Sequence, residues 1–182
     1  MSTRRAVIVA ALLALASTRI LAADSAEAMN RMGILYATGT GVPRDYVAAL
    51  AWYQRAAEAG SATAMNNIAT LYFHGLGVPQ SYAETVKWLR LAVKQGDATA
   101  QNRLGAMYED VLGVPNSARE AFELFGHAAQ QGYAPGLANL GRAYAHGNGV
   151  KRDEIHAYVL ITAAVQIGLK QSDRDAAVYQ LG

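Results

Sequence analysis

A stretch of 36 residues recurs along this chain, and such a period restricts the fold to a stack of like units. Residues 64–99 read AMNNIATLYFHGLGVPQSYAETVKWLRLAVKQGDAT, and sliding them by one period in either direction lays them on their neighbours. Tyr36, Tyr72, Tyr108 and Tyr144 fall in register, as do Gly41, Gly77, Gly113 and Gly149. Each of these glycines precedes a valine: Val42, Val78, Val114 and Val150. Pro43, Pro79 and Pro115 follow in three copies, and Lys151 replaces proline in the fourth. Four units result: Ala28–Thr63, Ala64–Thr99, Ala100–Pro135 and Gly136–Gln171.

Each unit reads as two helices joined by a glycine-rich turn. In the first unit Ala28, Met32, Gly33 and Tyr36 recur at spacings of three and four, which places them on one face of a helix over about residues 25–38. Gly33, Gly105 and Gly141 share one register, with Ala69 in unit two. A glycine inside a helix costs about 1 kcal/mol against alanine, so its recurrence implies close approach of a neighbouring helix. Gly39-Thr40-Gly41-Val42-Pro43 ends the first helix, Asp45 caps a second over about residues 46–59, and Gly60 ends that one. Its packing face is Ala49, Trp52, Tyr53, Ala56 and Ala57. The counterparts are Thr85, Trp88, Leu89, Ala92 and Val93, then Ala121, Leu124, Phe125, Ala128 and Ala129, then Ala157, Leu160, Ile161, Ala164 and Val165. Val111 stands where Gly39, Gly75 and Gly147 stand elsewhere, which predicts a tighter or shifted third turn. Runs of β-branched residues of strand length are few, so no sheet is expected.

The first residues have a different layout. Arg4 and Arg5 precede an apolar run from Ala6 to Ala16, and Leu21-Ala22-Ala23 closes it with small residues before Asp24. This is the three-part pattern of a secretory signal peptide over 1–23, too short in its apolar part to span a bilayer. It predicts a periplasmic or secreted product with no stable membrane insertion after cleavage near Ala23. The leader holds three of the 16 basic residues and none of the 14 acidic ones, which leaves 13 against 14. No basic stripe remains for a nucleic-acid partner. The chain has no cysteine, so packing must supply its stability without disulfides.

The frame A-x4-G-x2-Y-x2-G-x-G-V-P, followed by W-[YL]-x2-A-[AV] in the second helix, resembles the Sel1-like repeat, a relative of the tetratricopeptide repeat. The resemblance covers residues 28–171 in four tandem copies. It implies an all-α fold, a right-handed α-solenoid of four antiparallel helix pairs. Departures are Val111, Gly136 where other units open on alanine, a unit four without Trp, and no cysteine pair of the kind some secreted relatives carry. Ser172 with Asp175 three residues on is a capping signal, which predicts a C-terminal capping helix over 172–182.

No constellation for catalysis or for a metal stands out. His74 and His146 share a register two units apart, too far for one ion, and His127 and His156 lie on second helices of different units. Glu109 and Asp110 are neighbours in the irregular third turn, and Ser25, Ser61, Ser81, Ser117 and Ser172 sit where helix caps are expected. The chain reads as no enzyme, with no cofactor. In the tetratricopeptide architecture the first helices line a groove that holds a partner segment. By that resemblance the partner-binding positions are Asn30, Ile34 and Thr38 in unit one, and Asn66, Thr70, Phe73 and His74 in unit two. They are Asn102, Ala106, Glu109 and Asp110 in unit three, and Arg142 and His146 in unit four. Asn30, Asn66 and Asn102 form a ladder that either holds an extended backbone or bonds within the array. Phe73, at a register packing does not require, reads as an anchor for a partner. The expected role is an exported adaptor, scaffold or regulator for a protein or peptide in the cell envelope. The alternatives are an envelope small-ligand binder or weak hydrolase acting on β-lactams or peptidoglycan, or a structural part of an envelope assembly.

Overall fold

The computed structural model describes residues 25–179, with side chains from Ser25 to Gly168. Eight helices and no strand occur among the described residues. Unit one supplies α1 (Ala26–Thr38) and α2 (Tyr46–Glu58), and unit two α3 (Ala62–His74) and α4 (Tyr82–Lys94). Unit three supplies α5 (Ala98–Glu109) and α6 (Ala118–Gln130), and unit four α7 (Ala134–His146) and α8 (Glu154–Tyr179). Each helix packs most extensively on its pair-mate, and each second helix then packs on the first helix of the next unit. The result is an α-solenoid of four helix pairs. The expected leader over 1–23 lies outside the described residues.

Local chemistry sets these boundaries. Ser25, Asp45, Ser61, Ser81, Asp97 and Ser117 each accept a backbone N–H of the first turn that has no partner within the helix. Asp153 does the same for α8, accepting from Ile155 and His156. Those hydrogen bonds to His156, through its backbone and its ring, hold the Asp153 carboxyl below the usual range. Tyr133 offers no side-chain cap, and Pro135 stands in the first turn of α7, where an N–H has no partner within the helix. At the other end Gly39, Gly75 and Gly147 take left-handed φ angles of 77°, 67° and 76°. The amide two positions past the helix then returns to the same carbonyl, as Thr40 does to Leu35 at 3.2 Å.

Unit three keeps this turn without the glycine. α5 stops one residue early at Glu109, and Val111 takes φ 59°. Leu112 still donates to the Met107 carbonyl at 3.0 Å, so the turn is neither tighter nor displaced. The array imposes the loop on a residue that disfavours it.

Packing follows the predicted registers with two corrections. Ala49, Tyr53, Ala56, Ala57, Leu89, Ala92, Ala121, Phe125, Ala128, Ala157 and Ala164 are buried. Tyr53, Leu89 and Phe125 share one register and are 4%, 1% and 0% exposed, yet Ile161 in the same register is 42% exposed and Val165 is 56% exposed. In units one to three the following first helix covers the second helix. No described element follows α8, so Ile161 and Val165 are not fully part of the core. The second correction concerns the end of the chain. Among the described residues no separate helix begins at Ser172, because α8 runs unbroken from Glu154 to Tyr179. Gly60, Gly96 and Gly132 end the earlier second helices at φ 90°, 81° and 72°, but Gly168 in their register stays helical.

The helical glycines answer to a neighbouring side chain. A Cβ on Gly33 would overlap the Tyr53 ring, one on Gly105 would lie 2.7 Å from Phe125, and one on Gly141 would lie 2.8 Å from Ile161. Unit two has Ala69 opposite Leu89, which carries no ring in the register of Tyr53 and Phe125, and both line one cavity. The turn glycines bind units to one another. A Cβ on Gly77 would lie 2.7 Å from the Cβ of Tyr46, and one on Gly113 would lie 2.9 Å from Tyr82. Each glycine loop thus sits on the start of the previous unit's second helix.

Candidate functional site: the groove between the first helices of units two and three

The first helices stand side by side and are tied across the units by side chains 33 or 37 positions apart. Asn67 Nδ2 donates to Asn30 Oδ1 at 3.0 Å, Arg103 Nη1 to Asn66 Oδ1 at 3.2 Å, and Asn139 Nδ2 to Asn102 Oδ1 at 2.8 Å. The asparagine ladder is therefore an internal tie rather than a set of groups open to a partner. Asn30 and Asn66 are 7% and 8% exposed, and Asn102 is half-buried. An amide holds one bond to a neighbour while its aliphatic part lies in the packing, and that combination kept the register polar without making it a surface. Gln131 makes a similar tie, donating to Gln101 Oε1 at 2.8 Å and to the Gly96 carbonyl at 2.9 Å.

The other named positions divide by unit. Ile34 and Thr38 are exposed on unit one, where the Thr38 hydroxyl donates to the Ile34 carbonyl at 2.9 Å. Glu109 and Arg142 meet across units three and four in an ion pair of 2.8 Å. His146 ends α7 and borders a shallow recess with Arg152 and Glu154, away from the others. Thr70, Phe73, His74, Ala106 and Asp110 converge on one cavity of about 170 Å³ between α3 and α5.

Arg103 ties α5 to α3 through Thr70 at one edge of that cavity, and the cavity stays open where Phe73 faces Ala106. At the next junction Glu109 reaches Arg142, whereas the residues in those two registers here are Phe73 and Ala106, an aromatic ring and a methyl group. Leu89 and Thr85 of α4 form the floor, with Met107 and Leu112 at the side. Phe73 is half-buried: its ring centroid lies 5.5 Å from Tyr82 and 4.9 Å, edge-on, from His74. The expectation that packing does not use Phe73 is corrected, since it forms a wall braced from behind by Tyr82.

Arg103 is the cavity residue that sequence reasoning missed. Its guanidinium donates through Nη1 to Asn66 and to the Thr70 hydroxyl, and it forms no ion pair among the described residues. The register was legible, because Arg31, Asn67 and Arg103 each follow an asparagine of the ladder with a polar side chain, and Asn139 keeps that register in unit four. The described residues include no cluster of three or more His, Cys, Asp or Glu side chains able to hold a metal ion. No described helix is long and apolar enough to cross a membrane.

The family model described as Sel1 repeat matches residues 26–61, 62–97, 98–133 and 134–169. Its phase starts two residues before the units read from the sequence, where the helices begin. A Sel1 repeat protein from Oxalobacter formigenes is similar at 34% identity and TM-score 0.75, over 80% of this chain and 59% of that one. The protein c5321, a protective antigen present in uropathogenic Escherichia coli strains and displaying an SLR fold, is similar at 34% identity and TM-score 0.77. That match covers 83% of this chain and 32% of c5321. The chain thus spans less than two thirds of the length of either relative. No curated protein matches it.

Proposed function

The chain belongs to the Sel1 repeat family, and from that premise we propose that it is an exported interaction module holding a segment of an envelope protein in the groove between α3 and α5. Sel1 repeats are typical of protein-interaction modules and are in general non-enzymatic scaffolds. One observation carries the placement: five of the thirteen positions named from the sequence line a single open cavity, while the neighbouring junction is closed by Glu109 and Arg142. Its volume suits one side chain, since a cavity of about 150 Å³ holds a benzene ring and sites for whole small ligands start near 300 Å³. Export is supported by the leader pattern of residues 1–23.

Crosslinking in living cells followed by mass spectrometry tests the reading. The wild-type chain should capture a specific protein, and the cavity-filling variant Ala106→Leu should lose it while keeping its melting temperature. Capture of the same protein by both would remove the groove from the account. N-terminal sequencing of the cell product checks export, which predicts a chain beginning at Asp24. A product that keeps Met1 and fractionates with cytoplasmic protein would overturn the export reading.

A further inference from the structure

The rim of the cavity carries two opposite charges that the protein does not use against each other. Arg103 and Asp110 both lie at its edge, and neither forms an ion pair among the described residues. By contrast Arg31 and Arg142, which also project from first helices, are paired with Glu27 and Glu109. Arg103 begins the second turn of α5 and Asp110 caps its end, so at 1.5 Å per residue they stand about 10 Å apart along the helix. That separation explains why they do not meet. The hydrogen bonds of Arg103 use Nη1 alone, both to unit two. They fix the guanidinium and leave Nε and Nη2, the pair of donors that meets a carboxylate in bidentate fashion.

We infer that the occupant of the groove is a peptide segment in which an acidic residue and a basic residue flank one large aliphatic side chain. The aliphatic group fills the cavity between Phe73, Leu89 and Ala106, the carboxylate meets Arg103, and the base meets Asp110. The two charges sit at opposite ends, so the segment has one direction along α5. Pre-fixed donors at the rim give the acid its selectivity, because Arg103 loses little freedom when it pairs. The inference rests on the groove reading proposed above and specifies its partner.

Panning a phage library of random nonapeptides on the immobilised full chain, followed by fluorescence anisotropy of the enriched peptide, tests it. The enriched sequences should share an acid, a Leu, Ile or Met, and a base in that order or its reverse. Arg103→Gln should weaken binding tenfold or more, and repanning on that variant should lose the acid while keeping the aliphatic residue. Asp110→Asn should lose the base in the same way. Ala106→Leu should abolish binding at an unchanged or raised melting temperature, which separates a filled cavity from a misfolded protein. Enriched peptides that bind wild type and all three variants equally would overturn this inference and leave the interaction-module reading in place. A library from which no peptide is enriched would count against both.

Discussion

Val111 shows what the array can impose on a single residue. A β-branched side chain at φ 59° is strained, by roughly 1–2 kcal/mol, because its Cβ crowds the following carbonyl. The loop nevertheless keeps the hydrogen bond from Leu112 to Met107. Val111→Gly should therefore raise stability by about 1 kcal/mol in urea unfolding, and a loss of stability would mean that the exposed valine packs in a way the fold does not show. Tyr53 tests burial instead. Desolvation raises its phenol to about 12, whereas in the unfolded chain it ionises near 10. The folded state binds the proton more tightly, so this contribution is complete below pH 10 and is lost as pH rises from 10 towards 12. Tyr53→Phe should flatten that alkaline decline, by on the order of 2 kcal/mol at pH 12; an unchanged slope would place the cause elsewhere. Trp88 Nε1 is buried without a hydrogen-bond partner among the described residues, so Trp88→Phe should cost less than the loss of ring area alone suggests.

At the level of helix pairs, the matched sizes of two registers set how closely helices approach. Glycine on the first helix meets Tyr53, Phe125 or Ile161 on the second, and alanine at 69 shares its cavity with Leu89. Gly105→Ala should destabilise by about 1–3 kcal/mol despite the better helix propensity of alanine, because the Phe125 ring must move. Adding Phe125→Leu reproduces the unit-two pair and should recover most of the loss. A double-mutant cycle with no coupling would refute the size matching. This register was readable as a recurring glycine, and its cause followed from the helix cost of glycine. The asparagine ladder was readable too, but not its direction. Asn66 is one helical position from Asn67, and only the rotation of each helix decides which amide faces the next unit.

Across the whole molecule, stability should follow position along the stack. Each unit contacts its neighbours alone, so nearest-neighbour terms dominate. Unit four has a neighbour on one side among the described residues, and Ile155, Tyr158 and Val159 of α8 are 79%, 73% and 59% exposed. Amide exchange should accordingly be slowest in α4 and α5 and fastest in α7 and α8, and uniform protection would show that something covers α8. Sequence alone determined the period, the helix pairs, the caps at Asp45, Ser25, Ser61, Ser81 and Ser117, and the family, because all of these depend on residues close in the chain and repeated in register. The cap expected at Ser172 was not one of them, since α8 runs through it. Tertiary structure decided the rest. Whether Asn66 is tied or free, whether Phe73 is a wall, and whether Arg103 borders a cavity each depend on a residue 33 or 37 positions away. Glu109 and Arg142 close one junction, while Phe73 and Ala106, which have nothing to bond to each other, leave the junction before it open.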